Sequence, residues 1–429
     1  MLIVDTALAR RAEERRPVQV GLFGAGFMAR GIVNQVIRYT PGMRIAVICN
    51  RTVSAAVEAY ALAGVPADMI VECATSGQIN DAVRSGKAAV TADIAAMTGA
   101  DLEVVIEATG HVEYGAHAIT TAIASGRHIV SMNVELDATV GGALKARADK
   151  AGVILSGCDG DQPGVQMNLL RYVRTLGLKP LLAGNIKGLQ DRYRNPATQA
   201  AFAKQWGQTP SMVTSFADGT KISMEQAIVA NATGMKVAQR GMIGHEFRGH
   251  VDQMTGMYDL DQMRSLGGIV EYVVGGLPSP GVYVFAEAQD RMQAHYLNYG
   301  KLGEGPVYSF YVPWHLTALE VHISAARVAL FGDNVIETRG PTSVEVIAMA
   351  KIASKAGETL DGIGHYMTYG QCENHETAKA ENLLPMGLAE GCRLKRDVEK
   401  DQALTWDDVE PPADSLAHRL RAEQDQTFG

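Results

Sequence analysis

Hydrophobic positions follow two rhythms over the first 160 residues. Short apolar runs occur at VQVGLF (18–23), RIAVIC (44–49), LEVVIEATG (102–110), HIVSMN (128–133) and VILSGCDGD (153–161). Between them lie longer stretches with apolar residues every three or four positions, such as SAAVEAYALAG, GAHAITTAIASG and LDATVGGALKARADKAG. Unbroken apolar runs read as strands buried on both faces, and their alternation with helices predicts an α/β fold with a doubly wound parallel sheet. After Asp161 the pattern changes. VQMNLLRYVRTLG predicts a helix, LLAGNI a strand, and MEQAIVANATG a helix ending at Gly234. IVEYVVGG and GVYVFAEA flank LPSP and predict a hairpin; VYSFYV predicts another strand and HLTALEVHISAARVALFG one long helix. This region reads as an α+β domain for substrate and dimerisation. The last part of the chain turns to short strands and loops, where KAGETLDG (355–362) echoes EKDQALTW (399–406). The expected domains are 1–162, 163–340 and 341–429.

Composition narrows the function class. At roughly 150 residues per domain, 429 residues suit two or three domains. The net charge of −8, without a long run of one sign, argues against nucleic-acid binding. The opening MLIVDTALARRAEERR lacks a signal peptide's apolar core, and no apolar run reaches the roughly 18 residues of a membrane span. Five cysteines, an odd number without a CxxC, indicate a reduced, cytoplasmic protein with neither a disulfide framework nor a structural zinc.

The first candidate chemistry is a dinucleotide site. Gly24-Ala25-Gly26-Phe27-Met28-Ala29 fits GxGxxG/A between a strand and a helix. Its glycines permit a tight turn and close approach of a pyrophosphate to the helix N-terminus. Gly110 and Asn133 end two further strands of the same half and complete the expected cofactor site. The second strand ends Cys49-Asn50-Arg51. Asn50 stands where an NAD enzyme has an acid for the ribose diol, and Arg51 can pair with a 2′-phosphate, so NADPH is the expected cofactor. In the second half Lys187, flanked by turn-forming residues in GNIKGLQDRYR, is a candidate proton donor or phosphate ligand. Asp191 and Arg192 follow it as candidate substrate contacts. Ser223 and Gln226 form an S-x-x-Q pattern that also reads as a helix cap.

Taken together, the Rossmann-type half with HIVSMNVELDATVGGALKARADKAGV resembles homoserine dehydrogenase, and the tail resembles the SAF domain, a small β-clip module. The combination resembles the deoxyxylulose-phosphate-reductoisomerase-like enzymes. That resemblance implies NADPH-dependent conversion of 1-deoxy-D-xylulose 5-phosphate, a phosphorylated sugar, into 2-C-methyl-D-erythritol 4-phosphate by a homodimer. Homoserine dehydrogenases carry an Asn-Lys pair where this chain has Asn133-Val134, and valine cannot hold or donate a proton. Gly219, Lys221, Ile222, Ser223, Glu225, Ala227 and Asn231 reproduce a spacing of standard reductoisomerases, which implies Lys221 with Asp218 in catalysis and Ser223, Gln226 and Asn231 at the substrate. The reaction also implies a divalent metal, Mg or Mn, for which Asp159, Asp161 and Glu225 are the candidate ligands. An oxidoreductase of this architecture acting on another small aldehyde or hydroxy acid, and a non-catalytic NADP- or sugar-binding protein, are the alternatives.

Overall fold

The computed structural model describes residues 2–428. The chain gathers into two compact units, the first containing the chain up to Leu136, Ala143–Asp161 and Leu316–Glu337, the second containing the rest.

Unit 1 is built on seven parallel strands: β1 (Val18–Phe23), β2 (Met43–Cys49), β3 (Ile70–Glu72), β4 (Ala88–Thr91), β5 (Val104–Glu107), β6 (His128–Ser131) and β7 (Leu155–Gly157). The order β3-β4-β2-β1-β5-β6-β7 reverses direction between β1 and β5. A doubly wound sheet opens its ligand crevice at such a switch point, outside the carboxyl ends of the strands. Val20, Leu22, Ile45, Ile48, Val104, Ile106 and Val130 are buried, as strands covered on both faces require. The helix Phe27–Tyr39 adds Ala29, Ile32, Val33 and Val36, one stripe at helical spacing.

Leu316–Glu337 returns to this unit instead of staying with the second domain expected at 163–340. The single long helix expected here is a 3-10 turn, Thr317–Leu319, followed by the helix Val321–Phe331. That helix inserts Val321, Ala325, Ala326 and Val328 into the core of the parallel sheet. The short side chains at 324–326 let it lie close, a tertiary preference its local sequence does not express.

Unit 2 carries a five-stranded sheet of β8 (Lys179–Lys187), β9 (His245–Glu246), β10 (Ile269–Val274), β11 (Val282–Glu287) and β12 (Val307–Val312), in the order β12-β11-β8-β10-β9. The expected hairpin around LPSP is absent: β8 lies between β10 and β11, parallel to the first and antiparallel to the second. The link 275–281 is long enough to carry the chain across the end of β8, so a turn-rich sequence here marks a crossover.

The tail expected as a separate domain at 341–429 belongs to the same unit. Its longest strands, β13 (Val344–Ala350) and β14 (Thr368–Asn374), pair antiparallel over seven residues. The echo between 355–362 and 399–406 is a repeated turn. Glu358 accepts the Lys355 amide at 2.7 Å, and Gln402 accepts the Glu399 amide at 3.0 Å. Among the described residues no helix is long and apolar enough to cross a membrane. All five cysteines are buried and free.

Candidate functional site

In unit 1 the predicted cofactor residues follow the carboxyl ends of β1 and β5, at the switch point, and of their neighbours β2 and β6. Gly24 follows β1 with φ of +100°, and a Cβ there would meet the Ala108 carbonyl oxygen at 3.0 Å. Backbone conformation and crowding therefore both demand glycine. Gly26 differs: its φ is −76°, and a Cβ would find nothing within 4 Å. It begins the helix Phe27–Tyr39 with no side-chain cap, so the helix N-terminus faces open space with its first amides unclaimed by a side chain. This fits a pyrophosphate. Phe27 is exposed and Met28 packs partly against the core. Gly110 holds a φ of +68° in the loop after β5.

At the end of β2, Asn50 donates to the Thr52 carbonyl at 2.8 Å and so shapes the turn. Arg51 is exposed, its guanidinium 5.7 Å from the centre of the Tyr114 ring. Asn133 caps the helix Val134–Ala151, accepting from the Leu136 amide at 3.1 Å and donating to the His111 carbonyl at 3.0 Å. Val134, where a homoserine dehydrogenase has lysine, is buried.

Sequence reasoning missed Glu107, the last residue of β5. It is fully buried, and burial pushes its carboxyl up to about 7 against the opposing donors of Thr109 and Asn133. Oε1 accepts the Thr109 amide at 2.9 Å and the Thr109 hydroxyl, while Oε2 has no hydrogen-bond partner. A lone acid ending the apolar run VVIE at the carboxyl edge of the sheet was the available signal.

The metal ligands expected at 159, 161 and 225 are not assembled. Asp159 is buried against Arg327, whose Nη1 lies 3.0 Å from Oδ1, and accepts the Ser324 hydroxyl at 2.9 Å. Asp161 is buried. Glu225 is engaged within unit 2, by Asn185 at 3.1 Å and Lys187 at 3.3 Å. Among the described residues no group of three or more His, Cys, Asp or Glu could hold an ion. Arg327 already balances the charge that would attract a cation to Asp159, so these residues do not fit the metal, and no step is routed through one.

In unit 2, Lys187 ends β8 with its side chain largely covered. Its Nζ donates to Gln162 Oε1 at 3.1 Å and to Glu225 Oε2 at 3.3 Å. An ammonium has three hydrogens, so one remains after those two bonds.

Several other expectations are overturned here. The helix carrying the reductoisomerase-like spacing, Thr220–Thr233, begins at Gly219 with φ of +94°. Ser223 is therefore inside the helix and not its cap: its hydroxyl donates back to Gly219 O at 2.8 Å and lies 3.2 Å from Gly370 O. Gln226 is fully buried and staples the sheet, donating to the carbonyls of Ala183 at 2.9 Å and Glu271 at 2.7 Å while accepting from Gln166 at 2.7 Å. Asn231 accepts the amides of Ser343 at 2.8 Å and Val344 at 3.0 Å and donates to the Val344 carbonyl at 3.1 Å. These polar groups join the tail to the helix, because buried amides and hydroxyls require partners. Gln226 and Asn231 are thus interior staples and not substrate ligands.

Asp218, expected to orient Lys221, holds Lys351 at 2.8 Å and the Thr220 amide at 2.9 Å. Burial raises its carboxyl, and Lys351 pulls it back. Lys351 also donates to the carbonyls of Arg194 and His365, each at 2.8 Å, so this pair is an internal anchor. Lys221 is half-buried in the helix's first turn. Asp191, Arg192, Asp218 and Ser223 line a single cavity, from which Lys187 and Glu225 are absent. Ser223 and Glu225 stand two residues apart on one helix, about 200° around its axis. The predicted substrate residues therefore divide between a lysine cluster and a separate cavity.

Residues 24–156 match a family model described as "Homoserine dehydrogenase, NAD binding domain", and residues 160–321 match one described as "Oxidoreductase DRL, catalytic domain". Both matches describe oxidoreductase domains, and the chain has a dinucleotide-binding oxidoreductase fold. No curated protein matches the chain. Among solved structures, an oxidoreductase from Agrobacterium radiobacter in complex with NAD+, L-tartaric acid and magnesium is 17% identical, with a TM-score of 0.27. That alignment covers 40% of this chain and 45% of the other, less than half of its length. A scyllo-inositol dehydrogenase from Lactobacillus casei is 12% identical over 64% of this chain and 67% of that one, with a TM-score of 0.34. A probable dehydrogenase from Thermotoga maritima is 10% identical over 74% and 90%, with a TM-score of 0.41.

Proposed function

We propose that the chain is an NADPH-dependent oxidoreductase acting on a small carbonyl or hydroxy compound. The observation that carries this reading is Lys187, whose ammonium is fixed by Gln162 and Glu225 and keeps one hydrogen for a substrate oxygen. The open, uncapped helix terminus at Gly26 supports a dinucleotide, and Arg51 supports a 2′-phosphate. When bound, the nicotinamide supplies or takes a hydride. Lys187, held in place by Glu225 at 3.3 Å, then donates a proton to the oxygen of the reduced carbonyl.

A narrower form is the reductoisomerase reaction on 1-deoxy-D-xylulose 5-phosphate, supported by the Gly219–Asn231 spacing. The interior engagement of Gln226 and Asn231 weighs against moving that family's phosphate contacts onto them. Steady-state turnover of NADPH with a panel of aldehydes, ketoses and phosphosugars tests both forms. Lys187→Ala is expected to lower kcat/KM by about 10² or more while dinucleotide binding persists. Near-normal turnover by that variant would refute the lysine assignment. Reduction of a carbonyl without rearranged product, in an enzyme inactive on deoxyxylulose phosphate, would leave only the broader reading.

A further inference from the structure

We infer that the cavity in unit 2 is a second ligand site, distinct from the Lys187 cluster, that takes a hydroxylated small molecule bearing one anionic group. The cavity measures about 450 Å³, within the usual range for small-molecule sites. It is separate from the lysine cluster because Ser223 lines it while Glu225, on another face of the same helix, holds Lys187.

Its rim is fixed before any ligand arrives. Gly241, Met242 and Gly244 have φ of +80°, +66° and +64°, and the amides of Ile243 and Gly244 bond to the buried Glu271 at 2.7 and 3.0 Å. A preformed rim reduces the ordering cost of binding.

The charges in the wall define the ligand. Arg240 is engaged by Glu373 and Glu381, each at 2.6 Å, and Asp191 by Arg194 at 2.9 Å. Asp218 is balanced by Lys351. Arg192 remains without a direct ion pair among the described residues: its guanidinium rests 5.7 Å from the Tyr369 ring centre and feels the more distant charge of Asp401. A guanidinium with no carboxylate in direct contact suits one phosphate or carboxylate. The exposed Glu246 in the wall disfavours a second anionic group and can accept from a hydroxyl.

The remaining wall suits a polyhydroxylated body. Tyr193 and Tyr369 both donate to Asp401, at 2.8 and 2.9 Å, which fixes their rings. Gln371 adds an amide, and it and Tyr369 come from the tail, so the last part of the chain closes this cavity.

Calorimetric titration of the full chain without dinucleotide tests the site, using D-ribose 5-phosphate, D-ribonate, D-ribose and inorganic phosphate as probes. At least one anionic sugar is expected to bind at millimolar concentration or below, and D-ribose about tenfold or more weakly. The stronger of ribose 5-phosphate and ribonate identifies the anionic group. Arg192→Ala should reduce the anionic sugar to the affinity of ribose, with NADPH titration and the far-UV circular dichroism spectrum unchanged. Arg192→Lys should recover part of the loss. Lys187→Ala should leave sugar affinity within about threefold of wild type. The inference is overturned if no probe binds, if Arg192→Ala binds like wild type, or if Lys187→Ala loses as much as Arg192→Ala. The last result would place the ligand in the lysine cluster. Turnover enters none of these readouts, so the failure of the proposed reaction and of this site are distinguishable.

Discussion

Replacing Glu107 by glutamine should stabilise unit 1 above neutral pH and leave it nearly unchanged in mild acid. The carboxyl is fully buried, Oε1 accepts from Thr109, and Oε2 has no partner. Burial moves it from 4.5 to about 7 in the folded chain. The folded value lies above the unfolded one, so the folded state binds the proton more tightly. The group is therefore neutral at no electrostatic cost below about pH 4.5, and stability falls as pH rises from there through about 7. That interval corresponds to roughly 3 kcal/mol at full deprotonation. Glutamine keeps an acceptor for Thr109 and cannot ionise, so the variant avoids this loss. The expected gain is about 2–3 kcal/mol at pH 8 and below about 1 kcal/mol at pH 5, allowing for relaxation around the charge. A chain of two units is not expected to unfold in one step, so a single midpoint is a poor readout. Amide exchange of β5 and β6, compared between wild type and variant at each pH, isolates the local effect and cancels the intrinsic pH dependence of exchange. A difference that stays flat from pH 5 to 8 would refute the reasoning.

Gly26→Ala should separate folding from binding, since the added Cβ meets nothing in the protein and φ is already negative. The whole thermal unfolding profile should superimpose on that of wild type while NADPH affinity, read by fluorescence titration, falls about tenfold or more. Arg51→Asp should lower NADPH affinity by at least the 1.5–3 kcal/mol typical of a charge-assisted contact, with NADH less affected; an unchanged preference would sink the 2′-phosphate assignment. Lys351→Met leaves Asp218 buried without its partner and should destabilise unit 2 by about 3–5 kcal/mol, measured by urea denaturation. The double variant with Asp218→Asn should recover a substantial part of that loss, because the uncompensated charge is removed.

How much of this was legible in the sequence depended on whether the deciding contact was local. The apolar runs at 20–23, 45–49 and 104–106 specified the parallel sheet, since strands buried on both faces leave no polar alternation. Gly24 and Gly26 were legible for the same reason: a strand, a tight turn and a helix N-terminus are adjacent in the chain. Long-range pairing was not legible. Nothing in IVEYVVGGLPSPGVYVFAEA says that β8, some eighty residues earlier, lies between its two strands, because period-two patterning records burial and not the neighbour that provides it. The return of Leu316–Glu337 to the first core was hidden for a similar reason: Val321, Ala325 and Ala326 would suit either unit's core. Motif residues misled where their partners were distant. Gln226 and Asn231 keep a reductoisomerase-like spacing, but side-chain amides are satisfied in three dimensions, and here the nearest unfilled groups were backbone atoms of two strands and of Ser343 and Val344. Asp159 and Asp218 looked like free carboxylates because Arg327 and Lys351 lie 168 and 133 residues further on. The sequence by itself determined the sheet type and the glycine turn between β1 and the helix that follows it. Only the tertiary structure decided which charges remain unmatched, because burial requires each charge to find a partner and does not require that partner to be near in the chain.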